Sequence, residues 1–309
     1  MTDLKQRITA EALRLGFSRC GFARNEPPEQ IRPFYTAFIK RNGHAGMDYL
    51  ESNMEKRLNP ELVMPGTKTV IALLMNYFPN EIIPGKDNFT VAKYAYGQDY
   101  HKIIRKRLKD LTRFIGLISE GSLSKSFVDS GSVLEKFWAQ KCGTGWQGKN
   151  TLIIQENAGS FFFIGIIFTS LDLEPDPPGS DHCGTCENCI TACPTGALNS
   201  HYQLDIPRCI SFQTIENNAD IQGDLHSALN DRIYGCDICQ DVCPYNRFSH
   251  AHAIPEFLPG ELLKSMRRED WLAMNESDFD LIFRDSAVKR TGYQKLMRNI
   301  RAAMGGSML

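Results

Sequence analysis

The sequence predicts an α+β protein in three parts: a mixed helix-and-strand domain over 1–171, a cysteine-rich domain over 180–247, and short C-terminal helices over 248–309. Three observations predict it. Helical and strand-length apolar patterns are mixed through the first 170 residues. Eight of the ten cysteines fall between Cys183 and Cys243. Residues 172–182 (DLEPDPPGSDH) carry three prolines and four acids, and no regular element runs through such a stretch.

Asp3–Leu15 has helical spacing, with Leu4, Ile8, Ala12 and Leu15 on one face. Charges at Asp3, Lys5, Arg7 and Glu11 make it a helix and not a signal peptide. Thr69–Asn76 (TVIALLMN) has strand length. Tyr100–Ile118 reads as a helix with Ile103, Ile104, Leu108, Leu111 and Ile115 inward. Lys125–Asp129 reads as a strand ending at a carboxylate, Ser132–Cys142 as a helix, and Gly143–Lys149 as a glycine-rich loop. Leu152–Gln155 and Phe161–Thr169 follow as strands joined by a turn at Asn157–Ser160. Residues 260–304 are helical, and the last helix, Ala287–Met304, is basic.

Apolar residues make up 42% and charged residues 23%, which excludes a disordered chain. The longest apolar run, Phe161–Phe168, falls short of the roughly 20 residues that span a bilayer. These features predict a soluble, cytoplasmic protein without a membrane partner. A net charge of −1 gives no global field for nucleic acid, so any such surface is local. Clustered cysteines in a reducing compartment bind metal.

The first group is Cys183-x2-Cys186-x2-Cys189-x3-Cys193-Pro194, the bacterial ferredoxin spacing for 4Fe–4S clusters, in which the fourth cysteine serves the other cluster. The second is Cys209 with Cys236-x2-Cys239-x3-Cys243-Pro244. Crossing the last cysteines assigns Cys183, Cys186, Cys189 and Cys243 to cluster one, and Cys193, Cys209, Cys236 and Cys239 to cluster two. Structural zinc also uses C-x2-C pairs, but it does not explain two C-x3-C-P endings. Cys20 and Cys142 have apolar neighbours and read as small buried residues. A bare two-cluster protein needs about a quarter of this length, so the first 170 residues hold the chemistry.

Gly143-Thr-Gly145-Trp-Gln-Gly148-Lys149 matches G-x-G-x-x-G and nearly a P-loop. A helix precedes it, a strand follows, and Asn150 stands where Ser or Thr is needed, so neither nucleotide reading survives. Asp99-Tyr-His101 begins like a corrinoid D-x-H-x-x-G motif, but Ile104 takes the glycine position; His101 then reads as a surface or capping residue. Two readings of Asp129 stand side by side. It is a general acid whose pKa is raised by burial, or the N-cap of the helix from Ser132.

The runs FVDSGSVLEK (127–136), KCGTGWQGKN (141–150), GSFFFIG (159–165), DRIYGCDICQDVCPYNR (231–247) and VKRTGYQKLMRNI (288–300), with the paired cysteine motifs, resemble the epoxyqueuosine reductase family over nearly the whole chain. The resemblance implies a nitroreductase-like, corrinoid-binding α/β domain followed by a bacterial two-cluster ferredoxin-like domain. It also implies an oxidoreductase that reduces epoxyqueuosine to queuosine at the tRNA anticodon wobble position. Electrons would pass from an external flavodoxin- or ferredoxin-like donor through two 4Fe–4S clusters to cobalamin, in a monomer.

Position by position, the resemblance makes Asp129 the proton donor and puts Arg57 near the cofactor. Ile153, Gln155 and Ile164 would line the corrin with strand backbone, and Ser211 and Asp237 would face it beside Cys209 and Cys236. Many members continue into a helical-repeat domain; the expectation here is that it is absent. RNA grip would then fall to basic residues, with Arg284, Lys289, Arg290, Lys295, Arg298 and Arg301 favoured over Lys102, Arg105, Lys106, Arg107, Lys109 and Arg113. Phe212, Tyr234, Tyr245 and Trp146 are candidate base-stacking platforms. A two-cluster electron-transfer protein and a corrinoid reductive dehalogenase-like enzyme are the competing readings.

Overall fold

Thr69–Asn76 contains no charged residue, so a strand there needs cover on both faces. The computed structural model shows how that cover is obtained. It describes residues 2–83 and 88–305; residue 1 and residues 84–87 of the first predicted domain, and 306–309 of the last segment, lie outside the described residues.

The first half runs α1 (Thr2–Arg14), β1 (Arg19–Arg24), α2 (Arg32–Lys40), α3 (Met54–Leu58), β2 (Thr69–Asn76), β3 (Thr90–Val91), α4 (Tyr100–Ile118), β4 (Ser124–Phe127), α5 (Glu135–Lys141), β5 (Trp146–Gln147), β6 (Ile153–Ile154) and β7 (Phe162–Thr169). Four of the strands form an antiparallel sheet in the order β1-β2-β7-β4. Alternation along β2 divides its side chains between two cores. Ile71, Leu73 and Met75 pack with Ile8 and Ala12 of α1 and with Ile104, Leu108 and Leu111 of α4. Val70, Ala72 and Leu74 pack with Trp138 and Ala139 of α5. The α+β class therefore holds.

Several boundaries differ from the sequence reading. β4 ends at Phe127, so Asp129 lies two residues past the strand, in left-handed conformation with φ 50°. α5 starts at Glu135 with Leu134 at its N-cap, so Asp129 does not cap it. The glycine-rich loop contains β5, which pairs with β6. β1 is missing from the sequence reading because its centre is Gly-Phe-Ala between charged ends. Gly21 is needed there, since a Cβ would stand 2.0 Å from the Cys142 carbonyl oxygen.

The second half runs α6 (Asn188–Thr191), α7 (Ile210–Ile215), α8 (Gly223–Leu229), β8 (Arg232–Tyr234), α9 (Ile238–Asp241), α10 (Glu261–Ser265), α11 (Arg268–Ala273), α12 (Glu276–Ile282) and α13 (Tyr293–Ala303). The predicted last helix is broken: Ala287–Thr291 is a 3-10 turn, and Gly292, with φ 79°, separates it from α13. β8 pairs in parallel with β3. Phe89, Val91 and Tyr96 from the first half share a core with Tyr234, Trp271, Phe279, Phe283, Leu296 and Ile300. Among the described residues no helix is long and apolar enough to cross a membrane.

Candidate active site and cluster ligands

The two cysteine groups form matching units 50 residues apart. In each, a four-residue helix (α6 or α9) follows an acidic N-cap, Glu187 or Asp237, whose carbonyl accepts two N–H groups of the helix. The peptide N–H of Cys193 then bonds the Ile190 carbonyl, as that of Cys243 bonds Gln240. Pro194 and Pro244 cannot continue either turn.

Mutual influence sorts the thiols. Burial raises the Cys189 thiol pKa, and Cys183, Cys243 and Cys186 raise it further. Burial likewise raises Cys243, and Cys183 and Cys186 add to it. Cys209 is raised by burial and then by Cys193. Cys236 is pushed up to about 11 by burial, with Cys209 adding. Cys239 stands well above its ordinary value through burial, then Cys236, Cys209 and finally Cys189. These influences link Cys183, Cys186, Cys189 and Cys243 in one set and Cys193, Cys209, Cys236 and Cys239 in another, with Cys189 also acting on Cys239.

The donor chemistry of both sets suits iron–sulfur clusters. Burial acts to raise Cys193, but N–H groups of Leu198, Thr195 and Ala197 and the Thr195 hydroxyl, 3.6 Å away, outweigh it. Such N–H···S bonds stabilise sulfur charge and tune cluster potential. Among the described residues no three or more His, Cys, Asp or Glu side chains close on a single metal ion. Cys142 is fully buried and Cys20 partly buried against the sheet, apart from both sets.

The acid centre forms around the loop after β4. Tyr100 donates its hydroxyl to Asp129 Oδ2 at 2.5 Å, and His101 Nε2 stands 3.4 Å from the same oxygen. His101 Nδ1 lies 2.7 Å from Asp99 Oδ1, while Asp99 also caps α4 through the His101 N–H. His101 is therefore a member of the acid centre and not merely a surface or capping residue. Its ring stacks on Tyr100 at 4.0 Å, and Tyr100 stacks on Phe163 at 4.1 Å. From below, Glu135 Oε1 accepts the Asp129 N–H at 2.6 Å, and Arg57 reaches the Gly131 and Tyr49 carbonyls at 3.4 and 2.6 Å.

The electrostatics correct the expectation of a raised Asp129 pKa. Burial acts to raise it, but the bonds from His101 and Tyr100 hold the carboxyl below its ordinary value. Its side chain is 61% exposed, so the carboxylate is open to solvent. The protons sit on its neighbours. Burial opposes charge on His101, yet Asp129 and Asp99 bring it up to about 9. Burial, followed by the Asp129 charge, pushes Glu135 up to about 8. Lys136 is solvent-exposed; desolvation lowers its pKa against the pull of Asp129, Cys239, Glu135 and Cys209. Lys136 thus lies in the field of both the acid and the second thiol set.

The remaining predicted positions differ in burial and in the elements that hold them. Ile153 and Gln155 are buried, and β6 is paired on one side only, by β5. Ile164 is partly buried on β7, and Ser211 follows Cys209 in α7. The Asp237 carboxylate is turned to Lys93, accepting its N–H at 2.8 Å, so only backbone is left to face a cofactor. Of the aromatic platforms, Tyr234 and Trp146 are core residues, 1% and 2% exposed. The basic C-terminal set is largely committed internally. Lys289 pairs with Asp280, Arg290 with Glu216, Lys295 with the Ile215 carbonyl and Asn218, and Arg298 with the Gln213 and Asn217 carbonyls.

The glycines of 143–148 pack strands and cradle no phosphate. A Cβ at Gly145 would stand 2.3 Å from the Ile154 carbonyl oxygen, and one at Gly143 would stand 2.4 Å from that of Pro177. Lys149 and Asn150 escaped the sequence reading; the near-P-loop spelling was their only signal.

The chain is similar to known proteins in sequence and in fold. Residues 182–246 match the 4Fe-4S double cluster binding domain, and residues 57–130 match the family described as Epoxyqueuosine reductase QueG, DUF1730. An epoxyqueuosine reductase of Cellulophaga algicola is 43% identical over 293 residues, covering 95% of each chain. One from Leadbetterella byssophila is 41% identical over 300 residues, 97% of this chain and 98% of that one. A crystal structure of epoxyqueuosine reductase with an epoxyqueuosine-modified tRNA-Tyr stem loop superimposes with a TM-score of 0.90. It shares 29% identity, covering 98% of this chain and 81% of the other.

Proposed function

The chain belongs to the epoxyqueuosine reductase family, and from that premise we propose that it reduces epoxyqueuosine to queuosine in tRNA, with Asp129 delivering the proton to the epoxide oxygen. One observation carries the assignment of the site. Asp129, the only carboxylate among the described residues in contact with both Tyr100 and His101, acts on Lys136, which Cys239 and Cys209 also influence.

Converting an epoxide to an alkene consumes two electrons and two protons and releases water. The two 4Fe–4S clusters supply electrons one at a time, and cobalamin, when bound, supplies a reduced cobalt centre able to act at carbon. The residues present fit such a group by three features. Lys136 is exposed, Arg57 Nε is buried without a partner among the described residues, and β6 has an unpaired edge. Arg57, the backbones of Ile153, Gln155 and Ile164, Ser211, and the backbone of Asp237 would hold the corrin.

This chain's own residues manage the protons. Asp129 is anionic at rest because Tyr100 and His101 donate to it. His101, charged below about pH 9, stands against the Asp129 carboxylate and stores the proton it delivers, while Glu135, neutral below about pH 8, holds the Asp129 N–H. An acid placed at the oxygen contributes about 10²–10⁴ in rate. The left-handed loop keeps the carboxylate forward while Glu135 anchors its backbone.

For the tRNA, the face of α4 leading from His101 is better placed than the C-terminal set. Arg105 and Lys109 follow His101 at four-residue steps, are exposed, and have no ion-pair partner among the described residues. A flavodoxin- or ferredoxin-like protein would reduce the clusters of a monomeric enzyme. The test is nucleoside analysis of tRNA incubated with reconstituted protein, cobalamin and a reductant. Queuosine should replace epoxyqueuosine; persistence of the epoxide would sink the assignment.

A further inference from the structure

The loop after β5 sends two consecutive side chains into the two cysteine units. Lys149 is 3% exposed, and its Nζ donates to the Gly184 carbonyl at 2.8 Å and the Cys186 carbonyl at 3.0 Å. Both carbonyls belong to the tight loop that presents Cys183, Cys186 and Cys189. Asn150 is 4% exposed; its Nδ2 donates to the Cys239 carbonyl at 3.3 Å, while its Oδ1 accepts the Leu152 N–H at 3.2 Å. One dipeptide from the catalytic half thus grips both units.

A buried ammonium without a carboxylate within ion-pair distance is costly unless negative charge nearby compensates it. Among the described residues no carboxylate lies within ion-pair distance of Lys149, and Asp181 and Glu187 feel its charge only from farther off. A 4Fe–4S cluster in four thiolates does provide that charge, and each added electron deepens it. We propose that Lys149 is a positioning residue for the cluster held by Cys183, Cys186, Cys189 and Cys243, and that its fixed charge raises that cluster's reduction potential. Asn150 secures the neighbouring unit without adding charge. The inference rests on the cluster assignment alone and needs neither cobalamin nor tRNA. The step concerned is the addition of one electron from a reduced donor to the oxidised cluster, with no bond made or broken at Lys149.

The ammonium favours the reduced cluster, so the catalytic half draws electrons into the unit that carries Cys189.

K149Q keeps a donor for Gly184 and Cys186 but drops the charge. The reconstituted holoprotein, titrated with dithionite and followed by electron paramagnetic resonance, should show one cluster's midpoint moving to more negative potential in K149Q and the other unmoved. K149R should restore the first midpoint, and N150A should leave both unchanged. Iron and sulfide content, measured in parallel, should remain at two clusters per chain. Unchanged midpoints in fully loaded K149Q overturn the proposal. So does loss of cluster iron in K149Q and K149R alike, which would make Lys149 structural. Absence of clusters from the reconstituted parent protein would instead remove the cluster assignment itself.

Discussion

Asp129 is held in a conformation that side chains other than glycine seldom adopt, at a cost of about 1 kcal/mol. The Glu135 carboxylate on its N–H and the Tyr100 hydroxyl on its Oδ2 offset that cost. D129N keeps the shape and loses the delivered proton, so turnover should fall about 10²–10⁴-fold while cluster and cobalamin absorbance stay intact. Single-turnover nucleoside analysis checks this.

The neighbours set a pH dependence of stability. Folded Glu135 titrates near 8 and folded His101 near 9, against ordinary values of 4.5 and 6.5. Between about pH 6.5 and 8 the folded chain therefore binds more protons than the unfolded chain, and stability falls as pH rises. E135Q removes the Glu135 share, so its urea midpoint should change less with pH than the parent's across pH 5 to 8.

At the scale of elements, α13 is a staple. Asn299, fully buried, donates to the carbonyls of Thr214 in α7 and Ile233 in β8, each at 2.8 Å. N299A would strand both carbonyls and lower stability by about 1–3 kcal/mol, whereas R301A, at an exposed position, should leave the melting temperature unchanged; thermal unfolding compares them. The basic character of this helix, read along the sequence, suggested an RNA surface. Packing instead turns Arg298 and Lys295 to the polar ends of α7 and its loop. A charge count along a helix does not distinguish a lysine facing solvent from one capping carbonyls.

For the whole molecule, the first half and the last segment are not sealed from each other: β3 lies on β8, and Phe89 and Tyr96 share a core with Trp271 and Phe283. These contacts tie the first half to the segments around the second cysteine unit. The exposed face of α4 should carry the electrostatic part of stem-loop binding. R105E with K109E should weaken binding and make it less salt-dependent, by about one unit of log–log slope for each phosphate that is no longer neutralised. Charge reversal at Lys295 and Arg298 should instead lower stability. Fluorescence titrations across a salt series, paired with melting curves, separate the two outcomes.

The sequence by itself determined what depends on near neighbours. Cysteines three and four residues apart define their ligand loops, and the continuous apolar run of Thr69–Asn76 dictates a strand buried on both faces. Regular apolar spacing likewise delimits Tyr100–Ile118 correctly. Only the tertiary structure decided which groups distant in the chain share an environment. It set His101 and Tyr100 against Asp129, 28 and 29 residues on, and so inverted its expected pKa. It also carried Lys149 to Gly184 and Cys186, 35 and 37 residues away. The reason is physical: proton affinity and the worth of a buried charge are set by whatever the fold brings within a few ångströms. No local spacing records that.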